Sequence, residues 1–245
     1  MEELTIQRLE PNNLALQAAQ SLFDNLTTAG VFSARKTLLF LSGGSCIEVA
    51  TELLNLVPQN TSLQNLTVSL ADERWVDAGS EDSNEQQLKQ KNVLDQLARR
   101  GAAFISYLAV AEEPQVAAKT LSKMYEELFT ENENVVLLAG VGQDGHTLGM
   151  LPDTNAANFF QNFSQPNLVT YYQLSNTQTN PHVQRITLTL TAVAKMTHIY
   201  IFAVGENKRD ALNHLLKKDA VVNEVPALGL YLSEAVPQLY TDLEI

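Results

Sequence analysis

Two residues of this chain are placed to move a proton. Asp144 and His146 flank Gly145 in the run VVLLAGVGQDGHT, residues 135–147. Imidazole titrates near neutral pH, and a neighbouring carboxylate can orient the groups around it. Gly142 and Gly145 let the backbone turn sharply and come close to a ligand. If a helix starts just after this turn, its dipole disfavours the protonated ring and leaves His146 neutral, ready to act as a base. The alternative is a histidine that caps or packs; the glycine-rich turn around it favours chemistry.

Other segments hold groups suited to an anion. In Ser42-Gly43-Gly44-Ser45, backbone N–H groups at a helix start would favour a phosphate, although a tight strand-to-helix turn would read the same way. Asp72-Glu73-Arg74 puts charge where a buried strand ends. Arg74 either binds phosphate or neutralises its acidic neighbours. Arg185 and Lys208 are further candidate anion clamps, each weighed against a solvated surface cation. His182, His198 and His214 lack a comparable setting and read as surface or packing residues.

Several chemistries are excluded. Gly140, Gly142 and Gly145 fit G-x-G-x-x-G, but dinucleotide binding needs an acidic residue about 20 positions later. Between Asp153 and Glu206 there is no Asp or Glu. A G-x-x-x-x-G-K-[ST] phosphate loop is missing, as are a G-x-S-x-G elbow and metal-ligand spacing of Cys, His or carboxylates. These spacings point to no metal site.

The elements that must carry these groups alternate. Thr37–Leu41, Leu66–Leu70, Phe104–Leu108 and 135–139 read as strands, as do Arg185–Leu190, Ile199–Val204 and Ala227–Leu232. Helical periods cover 45–56, 83–99, 115–129 and 207–217, with an opening helix on Leu14, Ala18, Leu22 and Leu26. Ser45 and Glu48 fit a capping box. The polar stretch Asn155–Gln184 reads as a long connection or lid. Strands alternating with helices predict an α/β, three-layer Rossmann-like fold with a mostly parallel central sheet, one domain over residues 1–245. Ligands bind such sheets at the carboxyl ends of the strands. SGGS, ADERW, GVGQDGH and VGENK each follow a strand, so they gather on one edge.

Composition narrows the partners. A net charge of −12 argues against nucleic acid and against an anionic membrane surface. All 28 acidic residues lie in 1–153 or 206–245, so 154–205, with Arg185, Lys195, His182 and His198, reads either as a locally positive region suited to an anionic substrate or as merely an Asn/Gln-rich segment. No apolar run approaches the roughly 18 residues of a membrane span. The N-terminus lacks the pattern of a signal peptide. The single cysteine, Cys46, rules out an internal disulfide and suits a reducing compartment, so a cytoplasmic location is expected.

Taken in order, Ser42–Ser45, Asp72-Glu73-Arg74-Trp75-Val76 with Ser83-Asn84, Gly140–Thr147 and Arg185-Ile186-Thr187-Leu188-Thr189 resemble the 6-phosphogluconolactonases of the pentose phosphate pathway. Gly205–Lys208 and Pro226-Ala227 extend the resemblance over nearly the whole chain. The related glucosamine-6-phosphate deaminases share SGGS and D-G-H but differ after the histidine, where this chain reads TLGMLP. Two departures stand out. Cys46-Ile47 replaces the family's usual Thr-Pro, and Thr179–Gln184 lacks the usual lysine. The resemblance implies hydrolysis of 6-phospho-D-glucono-1,5-lactone, no cofactor, and His146 as acid/base residue with Asp144 beside it. Ser42, Gly43, Gly44, Ser45, Asp72, Arg74, Gly142, Gly145, Arg185 and Lys208 would bind the sugar phosphate. Backbone N–H groups of a glycine turn are candidates to hold the oxyanion. A small-molecule sugar phosphate is the expected partner, in a monomer or weak homodimer. The alternatives are a deaminase-like isomerase and a non-catalytic sugar-phosphate-binding protein.

Overall fold

The computed structural model describes residues 4–33, 35–174 and 182–245. Its centre is a seven-stranded sheet in the order β1 (Thr5–Arg8), β10 (Gln238–Thr241), β9 (His198–Phe202), β6 (Asn134–Gly140), β2 (Thr37–Leu41), β3 (Leu66–Leu70) and β5 (Ala103–Ile105). Every pairing in it is parallel. β2 is buried along its whole length and β6 along all but its last residue. That is why both read as uninterrupted apolar runs: each has helix or chain packed on both faces.

Helices α1 (Leu14–Thr28), α2 (Ser45–Leu56), α3 (Asn84–Gln90) and α4 (Val93–Arg99) cover one face, with α1 and α4 packed on α2. The chain then reverses, and right-handed crossovers send α5 (Pro114–Glu131) and α8 (Arg209–Lys217) to the other face. Connections leave β2 and β6, which are neighbours, in opposite directions along the sheet. The crevice beyond their carboxyl ends is therefore the switch point where such sheets take ligands.

A second, antiparallel sheet of β4 (Asp72–Arg74), β8 (Gln184–Leu188) and β7 (Val169–Gln173) lies against α5. The polar stretch Asn155–Gln184, expected to be a long connection, instead contains α6 (Ala156–Phe163) and β7. Phe159 and Phe163 of α6 are buried and stack edge-on, which gives this Asn/Gln-rich segment its anchor. Residues 175–181 lie outside the described residues, and with them half of the departure at Thr179–Gln184.

Other expectations shift for local reasons. The helix predicted over 83–99 is two helices, because Asn92 adopts a left-handed φ of 59° and starts α4 afresh. The capping box is not formed. Gly44 is the N-cap, at φ 62° and ψ −133°, and no side chain caps α2. The strand predicted from Arg185 to Leu190 ends at Leu188; Thr189 then caps the short α7 (Leu190–Val193) by accepting the Ala192 N–H. Phe104–Leu108 reduces to β5, displaced toward its start. Pro226–Leu232 is a 3₁₀ turn rather than a strand. It packs on α7, so closely that a side chain at Gly229 would meet Leu190. β1, β4 and β10 were too short to show a strand period.

Candidate active site

Four strand-end segments meet as predicted. β9, β6, β2 and β3 are successive neighbours, so the residues following them converge on one cleft of about 360 Å³. Ser42, Gly43, Gly44 and Ser45 form one wall, at the start of α2. Asp72, Arg74 and Arg185 come from the second sheet, and Lys208 from the 3₁₀ turn ahead of α8. Gly142 and His146 supply the rim. Asp144 and Gly145 do not line the cleft. Asp144 stands beside His146, and Gly145, at φ 80°, turns the loop against Val225.

The rim is a short, tightly tied loop. His146 Nδ1 and Asp144 Oδ1 are 2.5 Å apart. The carboxylate also accepts the His146 backbone N–H at 3.2 Å. Because the acidic partner can only accept, Nδ1 carries the proton, and Nε2 has no hydrogen-bond partner among the described residues. The hydrogen bond from His146 is the main cause holding the Asp144 carboxyl down at about 2. A side chain at Gly142 would place Cβ 2.0 Å from His146 Nδ1 and 2.6 Å from Asp144 Oδ1, so only glycine lets the pair pack there. No helix follows directly: residues 141–155 are loop up to α6. The expected help from a helix dipole is absent, and Asp144 alone orients the ring.

Loop and second sheet are joined. Thr147 Oγ1 donates to Gly140 O at 2.8 Å, Tyr172 OH donates to Gly149 O, and Thr187 Oγ1 donates to Leu148 O. The N–H groups of Gly142 and Gly145 are bonded inside the turn, to His146 O and Gly142 O. With the His146 N–H on Asp144, the glycine turn has few donors left for an oxyanion. At the start of α2 the Ile47 N–H donates to Gly44 O at 3.1 Å, and Ser45, the first residue of the helix, lines the same cleft.

The cations are unpaired. Arg74 and Arg185 are directly opposite each other across the β4–β8 ladder. Like charges so placed repel unless an anion lies between them. Among the described residues neither they nor Lys208 lie within 4.0 Å of a carboxylate oxygen. Arg74 Nη1 donates to Asp82 O at 2.7 Å, so it does not neutralise its acidic neighbours by contact. Arg185 is buried with Nε unpartnered.

Burial dominates the floor, formed by Asp72 at the cleft and by Glu73 beneath it, which does not line the cleft. It raises the Asp72 carboxyl above the usual carboxylate range, opposed by the charges of Arg185, Arg74 and His146. Burial also lifts Glu73 to about 7, against three backbone N–H donors, those of Arg74, Asn84 and Glu85. Cys46 is buried behind the SGGS wall, and burial pushes its thiol up to about 12, which makes it a poor nucleophile.

The acid-free stretch does not form one positive region. Only Arg185 reaches the cleft. His198 begins β9, at the opposite edge of the sheet, and Lys195 lies on a separate surface with Glu126 and Phe129. His182 lies 3.5 Å from Asp82, and His214 pairs with Asp219 at 2.7 Å. The cleft residue that reasoning on residue types did not single out is Asn84, buried at the start of α3. Its signal in the chain was its place beside Ser83 in the motif that carries the family resemblance, and Ser83 caps α3. Among the described residues, no helix is long and apolar enough to cross a membrane, and no cluster of three or more His, Cys, Asp or Glu could hold a metal.

A doubly wound parallel sheet with a polar cleft at its switch point defines an α/β enzyme architecture. The chain belongs to the family of glucosamine-6-phosphate isomerases and 6-phosphogluconolactonases, whose model matches residues 10–236. Over 186 residues it is 26% identical to a 6-phosphogluconolactonase of Helicobacter pylori, covering 75% of this chain and 74% of that one. A Pseudomonas aeruginosa 6-phosphogluconolactonase is 32% identical over 145 residues, 59% of this chain and 56% of its own length. The crystal structure of a 6-phosphogluconolactonase from Shewanella baltica shares the fold with a TM-score of 0.76 at 23% identity, over 98% of this chain and 97% of that chain. The chain is an enzyme of this hydrolase kind.

Proposed function

We propose that the chain hydrolyses 6-phospho-D-glucono-1,5-lactone to 6-phospho-D-gluconate. The observation that carries this reading is the facing pair Arg74 and Arg185, without ion-pair partners among the described residues, in one cleft with the Asp144-oriented His146. The guanidinium pair, Lys208 and the start of α2 would anchor a phosphate. That anchorage positions the distant carbonyl near the rim. His146, protonated at Nδ1, takes a proton from water at Nε2 as the water oxygen bonds to the lactone carbonyl carbon. Asp144, ionised down to about pH 2, stabilises the resulting imidazolium. The tetrahedral intermediate then breaks its bond to the ring oxygen, which receives the proton from Nε2. One water is consumed and the ring opens to the acid.

The test uses lactone generated in place from glucose 6-phosphate. The protein should open the lactone well above the spontaneous rate, and should release no ammonia from glucosamine 6-phosphate. Ring opening at only the spontaneous rate would reject the proposal; ammonia release would move the chain to the deaminase side of its family.

A further inference from the structure

The glycine turn uses the N–H groups of Gly142, Gly145 and His146 on itself. Just beyond it, Thr147 to Met150 close a second turn, with the Met150 N–H on Thr147 O at 2.7 Å. Both central residues have positive φ, Leu148 at 49° and Gly149 at 68°. That is the pattern of a type I′ turn, which glycine, asparagine and aspartate favour. Gly149 suits it. Leu148 is strained by it, because its Cβ crowds the backbone in the left-handed region. Such strain persists only where the surroundings over-determine it.

The surroundings are the second sheet. Thr187 Oγ1, on β8, donates to Leu148 O, its nearest acceptor; the carbonyls of Leu188 and Ala71 stand farther off, at 3.1 and 3.3 Å. Tyr172 OH, on β7, donates to Gly149 O. The Leu148 side chain is itself buried. Two hydroxyls therefore fix two successive carbonyls of the turn. The peptide between Leu148 and Gly149 is trans and planar. With its carbonyl on Thr187, its N–H, which belongs to Gly149, points the opposite way, away from β8. Among the described residues that N–H has no hydrogen-bond partner. Leu148 and Gly149 both line the cleft, as His146 does. The neighbour of Gly149 across the cleft is Asp72, whose Oδ2 would lie 2.8 Å from a Cβ there. Burial holds that carboxyl above its usual range, which disfavours the charge that would oppose an oxyanion.

Resting on the reading of the chain as a lactonase, we propose that the Gly149 N–H donates to the oxyanion of the tetrahedral intermediate, and that Thr187 is the positioning residue that aims it by holding the Leu148 carbonyl. As the water oxygen bonds to the lactone carbonyl carbon, the π electron pair moves onto the carbonyl oxygen and meets this N–H. The pair returns to the carbon as the bond to the ring oxygen breaks. The donor is in place before the substrate arrives, so no reorganisation is needed during reaction.

The experiment is steady-state kinetics on lactone generated in place, with the wild type, Thr187→Val and Thr187→Ser, beside the melting temperature of each. Valine keeps the branching and removes the donor. It should lower kcat about tenfold to 100-fold and leave KM within about twofold. Serine keeps the hydroxyl and should hold kcat within about threefold of the wild type. Unchanged kcat in Thr187→Val overturns the proposal, however far melting falls. A raised KM at constant kcat overturns it too, because Thr187 would then serve the phosphate through Arg185. If serine loses as much kcat as valine, packing of the methyl group matters and the donor does not. A chain with glycolic acid in place of Gly149, whose ester lacks this N–H, tests the donor directly and decides the matter if Thr187→Val does not fold. Its kcat should fall about 100-fold; wild-type kcat would reject the assignment. If the wild-type protein itself fails to speed lactone opening, the lactonase reading falls, and this inference with it.

Discussion

The rim and the floor of the cleft each hold a carboxyl group of altered acidity, and they move in opposite directions. On the rim, half-exposed Asp144 is held at about 2 by its hydrogen bond from His146. On the floor, Glu73 accepts three N–H bonds and still rises to about 7, because no water reaches it. A hydrogen-bonded carboxylate that keeps its solvent stays charged. At Glu73 the lost solvent outweighs the three bonds, so the carboxyl holds its proton longer. The difference separates tasks: the rim keeps a charged carboxylate beside the imidazole it orients, and the floor holds backbone and Asn84 in place.

Removing the rim's base should give the largest effect. His146→Ala is expected to lower kcat by about 100-fold or more. Its half-exposed side chain leaves little packing to lose, so the melting temperature should barely move. Wild-type turnover in the folded variant would end the assignment. Crowding the rim should come next. Gly142→Ala drives Cβ into both members of the pair, and a displacement near 1 Å costs up to about 100-fold in rate. Unaltered kcat would show that the packing of the pair is irrelevant to turnover.

Asp144→Asn should cost less, about tenfold in kcat, because solvent screens a half-exposed pair. It carries a second readout. The Asp144 pKa is depressed from 3.8 to about 2, so its stabilising contribution is present above 3.8 and lost as pH falls through 2. The variant should lack that part of the acid transition; an identical acid profile would contradict the pairing. The smallest change is on the floor and has the opposite sign. Glu73 rises from 4.5 to about 7. Its contribution is full below 4.5 and lost as pH rises through about 7, on the order of 1–3 kcal/mol. Melting of Glu73→Gln across that window should show a flatter slope than the parent; equal slopes would mean Glu73 does not titrate there.

Much of this site was legible in the chain because its chemistry rides on strands that show plainly. β2, β3 and α2 match their predicted bounds because each is a short, consistently patterned run. Segments that depend on distant partners were not legible. β1 and β10 are four residues each and acquire strand structure only by pairing with one another and with β9. Asn84 belongs to a motif of the family resemblance, but that its amide packs against Gly43 is visible only in the fold. The reading of a positive region failed because absence of acid in sequence does not bring cations together in space.

By itself the sequence determined the parallel α/β architecture, the convergence of four strand-end segments and the candidate base, since hydrophobic period and glycine placement are local. Only the tertiary structure decided that Arg74 faces Arg185, that Asp144 rather than a helix dipole orients His146, and that Asn84 is buried against Gly43. Those facts depend on which surfaces lose water and which strands pair, and burial and pairing are properties of the folded chain.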